Sequence, residues 1–323
     1  MKLTRARNEL LASLQMSGQE REDRVGKAIS PDYWQALCPE IPLEVANFKI
    51  GELPFNTTLV EDSLRSLKTK GYFAAGRLIS EVSVMPMRAC VETVRKAGWP
   101  PVFAFAYDPF WSITRVSFIA EFIAALLGAE FNLIMSRVWC YYIPAVRGAG
   151  GWTPHADDYR EHQGRITLWI ALTEATLDNG CMYVVPQDLI YGAKVPVKER
   201  LREPLISSEY CLELLHSCRA LPAAAGSVLG WDPRTIHWGS KCQEPKWPRI
   251  SLGCEFVSRG VTPKPHTIDE LAPGQSGAAL PSFIQRMRHI ALSIRIHKGR
   301  DLKAARFSQV AEELIRITNE RAS

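Results

Sequence analysis

Between about residue 132 and residue 258 the chain is written as short β-branched and aromatic stretches, each stopped by a turn signal. Few folds accommodate that punctuation. Leu133–Ile143 ends at Pro144, and Arg165–Leu172 reads as the next strand. The Asp178-Asn179-Gly180 turn leads into Cys181–Val185, expected as the partner of that strand, which Pro186 stops. Gly226–Trp231 and Arg249–Val257 follow. Runs of this length bounded by Gly, Pro, Asn and Asp predict strands, and an Asn-Gly pair between two of them predicts a tight reversal. A series of such strands points to an antiparallel sandwich or closed barrel.

The flanks are helical by periodicity. Leu3, Leu10, Leu11 and Leu14 share helical spacing, as do Val60, Leu64 and Leu67 ahead of Gly71. Pro86 is expected to open or kink a helix carrying Val91 and Val94, which stops near Gly98. Val116, Ile119, Ile123, Leu126 and Leu127 form another, closed by Gly128. Near the C-terminus Phe283, Met287, Ile290 and Ile294 share a face, and Arg286, Arg288, His289 and Arg295 are expected on the solvated one. Residues of about 187–222 read as an insertion. The expected organisation is one domain over 1–323, helical over about 1–130, a β core over about 131–260, and helical again over about 261–323.

A chain of 323 residues suits one elaborated barrel with a large core. No apolar run approaches the eighteen or so residues of a membrane span. The basic first residues lack the apolar stretch and cleavage site of a secretory leader. Cys38, Cys90, Cys140, Cys181, Cys211, Cys218, Cys242 and Cys254 form no C-x-x-C pair, which argues against a zinc ribbon and suits a reducing cytoplasm. The net charge of +5 is interleaved with acids and leaves no nucleic-acid footprint.

Within the strand-rich region His155-Ala-Asp157 is answered some eighty residues later by His237. On an extended strand residues two apart point the same way, so His155 and Asp157 can converge on one metal with Ala156 turned away and Asp158 on the opposite face. Two imidazoles and one carboxylate are the facial triad of non-haem Fe(II), which leaves the remaining positions open. Zinc is the competing metal. Arg249 and Ser251 also share a strand face. Arg grips a carboxylate with a planar fork that Lys cannot copy, so the pair suits a dicarboxylate cosubstrate. The ordinary alternative is an ion pair of Arg249 with Glu244 or Glu255. Tyr141 and Tyr142 face opposite ways, and only one can look inward.

The run from Thr167-Leu-Trp169 through Asn179-Gly180-Cys-Met-Tyr-Val-Val-Pro186 resembles the central signature of the phytanoyl-CoA dioxygenase family. The His-x-Asp before it, and His237 with Arg249-x-Ser251 after it, are similar in order to that family's iron and 2-oxoglutarate motifs. The resemblance covers roughly residues 130–258. It departs after Pro186, where the family usually continues Gly-Ser-His and this chain continues Gln187-Asp188-Leu189.

The resemblance implies a double-stranded β-helix of the jelly-roll, cupin-like kind. It also implies Fe(II) on His155, Asp157 and His237, and 2-oxoglutarate held by Arg249 and Ser251. O2 completes the set for a dioxygenase that oxidises a C–H bond of a small molecule with release of succinate and CO2. Thr167 and Trp169 are candidates for the cosubstrate pocket. Trp152, Asp158, Tyr159, Trp231 and Arg234 flank the ligands and are candidates for substrate contact. Asp157, where a halogenase carries a small residue, favours oxygen insertion or a related oxidation without chloride. Two other readings stand beside this one: a binding protein on the same fold without turnover, and a zinc-dependent hydrolase. The substrate, and monomer against dimer, are left open.

Overall fold

The computed structural model describes residues 16–44, 49–158, 164–190, 216–244, 246–261, 271–274 and 278–320. Its strands are β1 Tyr72–Arg77, β2 Phe131–Ile134, β3 Trp139–Ile143, β4 Arg165–Ala171, β5 Met182–Val185, β6 Arg219–Leu221, β7 Ser227–Trp231, β8 Ile236–Gly239, β9 Arg249–Ser258 and β10 Leu271–Pro273. Its α-helices are α1 Gly18–Ala28, α2 Pro31–Leu37, α3 Thr57–Lys70, α4 Glu81–Lys96, α5 Asp108–Ser112, α6 Ser117–Leu127, α7 Gln187–Ile190, α8 Phe283–His297, α9 Leu302–Arg306 and α10 Ser308–Glu320.

The strands form two antiparallel sheets. The larger runs β1-β7-β4-β9-β2-β10, with β3 also on β9, and the smaller runs β6-β5-β8. This is a double-stranded β-helix of the jelly-roll kind, with helices packed on the larger sheet.

Alternation along the strands separates two environments. On β4, Ile166, Leu168 and Ile170 join the helix-backed core, whereas Trp169 and Ala171 join a smaller cluster with Met182, Val184, Leu229 and Trp231. On β9, Ile250, Leu252, Cys254 and Phe256 likewise face the helices. That parity turns Arg249, Ser251, Gly253 and Glu255 to the interior. A strand buried on both faces is therefore apolar on one side and free to carry chemistry on the other.

The helices are built by local signals. Asn56 caps α3 by accepting from Leu59 N at 2.9 Å, and Gly71 ends it at φ +79°, where a Cβ would be strained. Ser282 and Gln285 form a capping box that starts α8. The N- and C-terminal helices share one core: Trp34 stacks on Phe103 at 5.6 Å, and Phe103 meets Phe307 at 6.0 Å.

Several expectations are corrected by the fold. Leu133–Ile143 is not one strand. A 3₁₀ turn over Met135–Arg137 divides it into β2 and β3, which pair with different parts of β9. Ser293 Oγ from α8 donates to Ser136 O at 2.9 Å and holds that break. β5 does not pair with β4, because β7 and β9 already occupy both edges of β4. Instead the Asp178–Gly180 turn carries the chain into the other sheet, where β5 lies between β6 and β8. Asn179 braces the turn by accepting from Thr176 N at 2.7 Å and donating to Glu174 O at 2.8 Å.

Nor are the flanks purely helical. β1 pairs with β7, and β10 pairs with β2. Pro86 does not open a helix but lies inside α4. The expected insertion holds α7 and β6, and residues 191–215 lie outside the described residues, as do Cys211 and the leucine pattern of residues 3–14.

Arg286 and His289 belong to the core and not to the solvated face of α8. Arg286 meets Asp108 at 2.5 Å, with side chains 3% and 1% exposed, and donates to Pro281 O, Ala106 O and Leu43 O. Breaking a buried pair by removing one partner strands a charge and costs roughly 3–5 kcal/mol. Asp108→Ala should lose that much stability in chemical denaturation. A loss below about 1 kcal/mol would show that the carbonyls alone satisfy Arg286.

Candidate active site

His155 and His237 are brought together by the backbone. They form an isolated antiparallel bridge, with His155 N donating to His237 O at 3.1 Å and His237 N donating to His155 O at 2.9 Å. The expected strand over 155–157 is absent: a single bridge residue is followed by a bend. That bend, and not strand alternation, swings Asp157 back toward the imidazoles.

Each ring is oriented from behind. His155 Nδ1 donates to Thr153 O at 2.7 Å and His237 Nδ1 donates to Thr235 O at 3.0 Å. A carbonyl can only accept, so Nδ1 of each ring carries a proton and Nε2 is the ring atom turned to the site. Asp157 Oδ1 lies 3.8 Å from His155 Nε2 and 3.7 Å from His237 Nε2. Its Oδ2 is held by Thr167 Oγ1 at 2.8 Å and Trp231 Nε1 at 3.1 Å.

The three ligand atoms lie within 4.8 Å of one another, and His155 Nε2 is buried without a hydrogen-bond partner. Two metal bonds of about 2.1 Å can bridge up to roughly 4.2 Å, so the carboxylate–imidazole separations fit one ion. The donor set, two imidazoles and one carboxylate, is of the kind that leaves open positions on Fe(II).

Charge follows the same geometry. Burial lowers the His155 pKa to about 4, helped by the neighbouring His237 ring, so the imidazole is neutral at physiological pH. Burial would raise the Asp157 carboxyl, but His237, His155 and the two hydrogen bonds outweigh it and hold the pKa low.

Arg249 lies at the inner end. It is 2% exposed, and Ser251, two residues on, is fully buried. Its guanidinium bonds Gly180 O and lies 3.6 Å from Met182 Sδ. A Cβ at Gly239 would come within 2.6 Å of Arg249 Nη2, and one at Gly151 within 3.1 Å. The glycines thus open the space that the guanidinium fills. Among the described residues no carboxylate pairs with it. Glu255 is taken by Arg165 at 2.6 Å, and Glu244 by Lys246 at 2.9 Å. Burial lowers the Arg249 pKa to about 10, still charged at neutral pH. Arg249 Nε and Ser251 Oγ are both buried without partners. A buried cation beside an unused hydroxyl is the cradle of an anion.

Residues 116–248 match the family profile described as Phytanoyl-CoA dioxygenase (PhyH). That segment resembles the phytanoyl-CoA dioxygenase family. It contains the bridge, the bend and all three residues of the triad, and it stops one residue before Arg249. The chain is 32% identical over 85 residues to phytanoyl-CoA dioxygenase domain-containing protein 1 of Bos taurus, an alignment spanning 25% of this chain and 28% of that protein. It thus spans under a third of that relative's length. Among solved structures, it resembles the epimerase SnoN in complex with Fe3+, alpha ketoglutarate and nogalamycin RO. That likeness has a TM-score of 0.51 and 16% identity over 70% of this chain and 97% of the other. It also resembles the non-heme monooxygenase ThoJ–Ni complex, at a TM-score of 0.52 and 18% identity over 78% and 99%. At these identities the likeness is one of fold.

The remaining predicted residues fall in distinct places. Thr167 and Trp231 contact Asp157 directly. Trp169 is core packing between the sheets. Arg234 is engaged by Asp232, at 2.9 and 3.1 Å. Asp158 is half-buried, and its amide donates to Pro233 O at 2.9 Å. Tyr159 lies outside the described residues. Trp152 stands edge-on to His155 at 5.7 Å and to Tyr141 at 5.2 Å.

Other groups complete the surroundings, and of these His297 alone carried no signal in the sequence. Tyr141 pairs with Ser251 in register and faces inward, while Tyr142 turns to Arg95 at 4.5 Å. His297, at the end of α8, is sandwiched between Trp139 at 4.3 Å and Trp152 at 5.2 Å. Gln187, where the family signature breaks, donates to Thr235 Oγ1 at 3.0 Å, and that hydroxyl donates to Gly71 O at 2.7 Å. The departure therefore braces the turn whose carbonyl orients His237.

Thr167→Val keeps the shape and removes one donor to Asp157. Loss of an outer hydrogen bond to a metal ligand typically costs 10–100-fold in metal affinity. Titration with Mn(II) should show a fall of at least about tenfold with little change in fold stability. Unchanged affinity would mean that Trp231 alone orients the carboxylate.

Proposed function

We propose that this chain is an Fe(II)- and 2-oxoglutarate-dependent oxygenase that hydroxylates, or otherwise oxidises, a C–H bond of a small molecule, releasing succinate and CO2. One observation carries the reading: a three-ligand metal site and a buried, unpaired Arg249–Ser251 cradle occupy the same barrel interior. A zinc hydrolase needs no such cradle. His237 and Gly239, against which Arg249 packs, lie two residues apart on β8, roughly 7 Å along a strand. That span suits a five-carbon dicarboxylate with one end at the metal and the other at the guanidinium.

His155, Asp157 and His237 would hold the iron, and iron with 2-oxoglutarate and O2 supplies the oxidising power. The protein supplies the rest. The Thr153 and Thr235 carbonyls fix the imidazole tautomers, and Thr167 and Trp231 keep one carboxylate oxygen turned away from the metal. Arg249 and Ser251 would anchor the distal carboxylate. Trp169, Met182, Leu229 and Trp231 keep water from the interior. The fold does not single out phytanoyl-CoA as substrate, because one fold hosts many unrelated functions. Among the described residues no single helix is long and apolar enough to cross a membrane, and the described cysteines are free. A reducing cytoplasm suits such thiols.

The test is anaerobic addition of Fe(II) and 2-oxoglutarate. A weak visible charge-transfer band should appear, and admission of O2 with substrate should release succinate. Metal binding without any effect of 2-oxoglutarate would return the site to the hydrolase or binding-protein reading.

A further inference from the structure

We propose that the substrate is an anion and that Arg300 holds its carboxylate or phosphate at the mouth of the site. This rests on the oxygenase reading and adds the chemical class of the molecule oxidised.

Arg300 lies just beyond α8, in a turn fixed by its own amide donating to His297 O at 2.8 Å. Its guanidinium lies over the Trp152 ring, 5.4 Å from the centroid. Trp152 is half-buried and also contacts His155 at 5.7 Å, so one indole separates Arg300 from a metal ligand. The guanidinium is thus positioned by stacking, which leaves its hydrogen-bonding edge unused.

Its neighbours are engaged where Arg300 is not. Lys298 meets Glu312 at 3.7 Å, and Arg137, which acts on His297 together with Arg300, meets Glu255 at 3.5 Å. Among the described residues no carboxylate pairs with Arg300, which is exposed. An exposed arginine that stacks on a site tryptophan and carries no counter-ion has the form of a binding group.

The imidazole stacked beside Arg300 adds no second charge. His297, stacked on the same indole, has a pKa lowered to about 4, chiefly by burial, and is neutral at physiological pH. Arg249 is sealed at the inner end, and Tyr141 lies where both cations act on it. The two cations thus differ in access: Arg249 is 2% exposed, and Arg300 is open to solvent. A molecule bridging Arg300 and the metal would pass over the Trp152 ring, so an apolar stretch next to the anionic group is expected.

The experiment uses the full chain loaded with Mn(II) and 2-oxoglutarate without O2, and thermal shift against matched pairs. The probes are hexanoate with hexanamide, benzoate with benzamide, and phenyl phosphate with phenol. The acids or the phosphate should stabilise the protein and their neutral partners should not, and the carboxylate and phosphate arms decide which headgroup is preferred. Arg300→Ala should weaken the anion by about tenfold or more and leave both the ligand-free melting point and the 2-oxoglutarate affinity unchanged. Equal stabilisation by neutral partners, no stabilisation by any anion, or full anion binding in Arg300→Ala would each overturn the proposal. Failure of 2-oxoglutarate itself to bind the unaltered protein would instead overturn the oxygenase reading.

Discussion

Asp157→Ala is expected to abolish succinate formation and to weaken metal binding by more than about a hundredfold, since losing even an outer partner of a ligand costs 10–100-fold. Asp158→Ala should retain activity. The two carboxylates are adjacent, but only Asp157 Oδ1 faces both imidazoles, at 3.8 and 3.7 Å. Asp157→Ala also leaves the Thr167 hydroxyl and Trp231 indole without their acceptor, at a cost of about 1–3 kcal/mol each. Asp157→Asn separates the effects: its amide oxygen still accepts from both donors while the charge is lost. Metal titration and succinate assays on the three variants decide the matter. Loss of activity confined to Asp158→Ala would mean that the ligand is misassigned. The unaltered enzyme should show no chloride dependence, and a chlorinated product would overturn oxygen insertion.

Arg249→Lys keeps a charge and loses the fork, so 2-oxoglutarate affinity should fall about ten- to a hundredfold, in line with the roughly 1.5–3 kcal/mol of a charge-assisted hydrogen bond. Arg249→Met goes further. A cation buried to 2% exposure with no carboxylate partner among the described residues is a cost to the ligand-free fold. A flexible apolar side chain can fill much of the space beside Gly151 and Gly239. The ligand-free melting point should hold or rise, and the stabilisation by 2-oxoglutarate should vanish. A fall of more than about 2 kcal/mol in ligand-free stability would mean that Arg249 chiefly ties Gly180 to β9, since one buried hydrogen bond to a charged group is worth about that much. Unchanged 2-oxoglutarate dependence in Arg249→Lys would remove the residue from the cosubstrate site.

What was legible in the sequence is what local chemistry and short periods determine. The alternation of β4 and β9 could be read because residues two apart share a face, and with it the common orientation of Arg249 and Ser251. Helix ends were legible wherever a cap marks them, as at Gly71 and Gly128. The order His155, Asp157, His237 and the run to Pro186 carried the family resemblance, because ligand types and turn residues are fixed by what a metal and a reversal require.

Tertiary structure decided everything that depends on which surfaces meet. The Asp178–Gly180 turn marks a reversal, but only the occupied edges of β4 send β5 into the other sheet. Asp157 reaches the metal site through a bend after a one-residue bridge, a geometry that alternation does not contain. Arg286 reads as a surface residue of α8 until Asp108, far away in sequence, arrives beside it. His297 and Arg300 lie some sixty residues beyond His237 and meet Trp152 only because α8 packs on the Met135–Arg137 turn that precedes β3. Local sequence sets what each segment prefers. Which cation is buried, which is exposed and which carboxylate turns inward follow from long-range packing, which no short window of residues encodes.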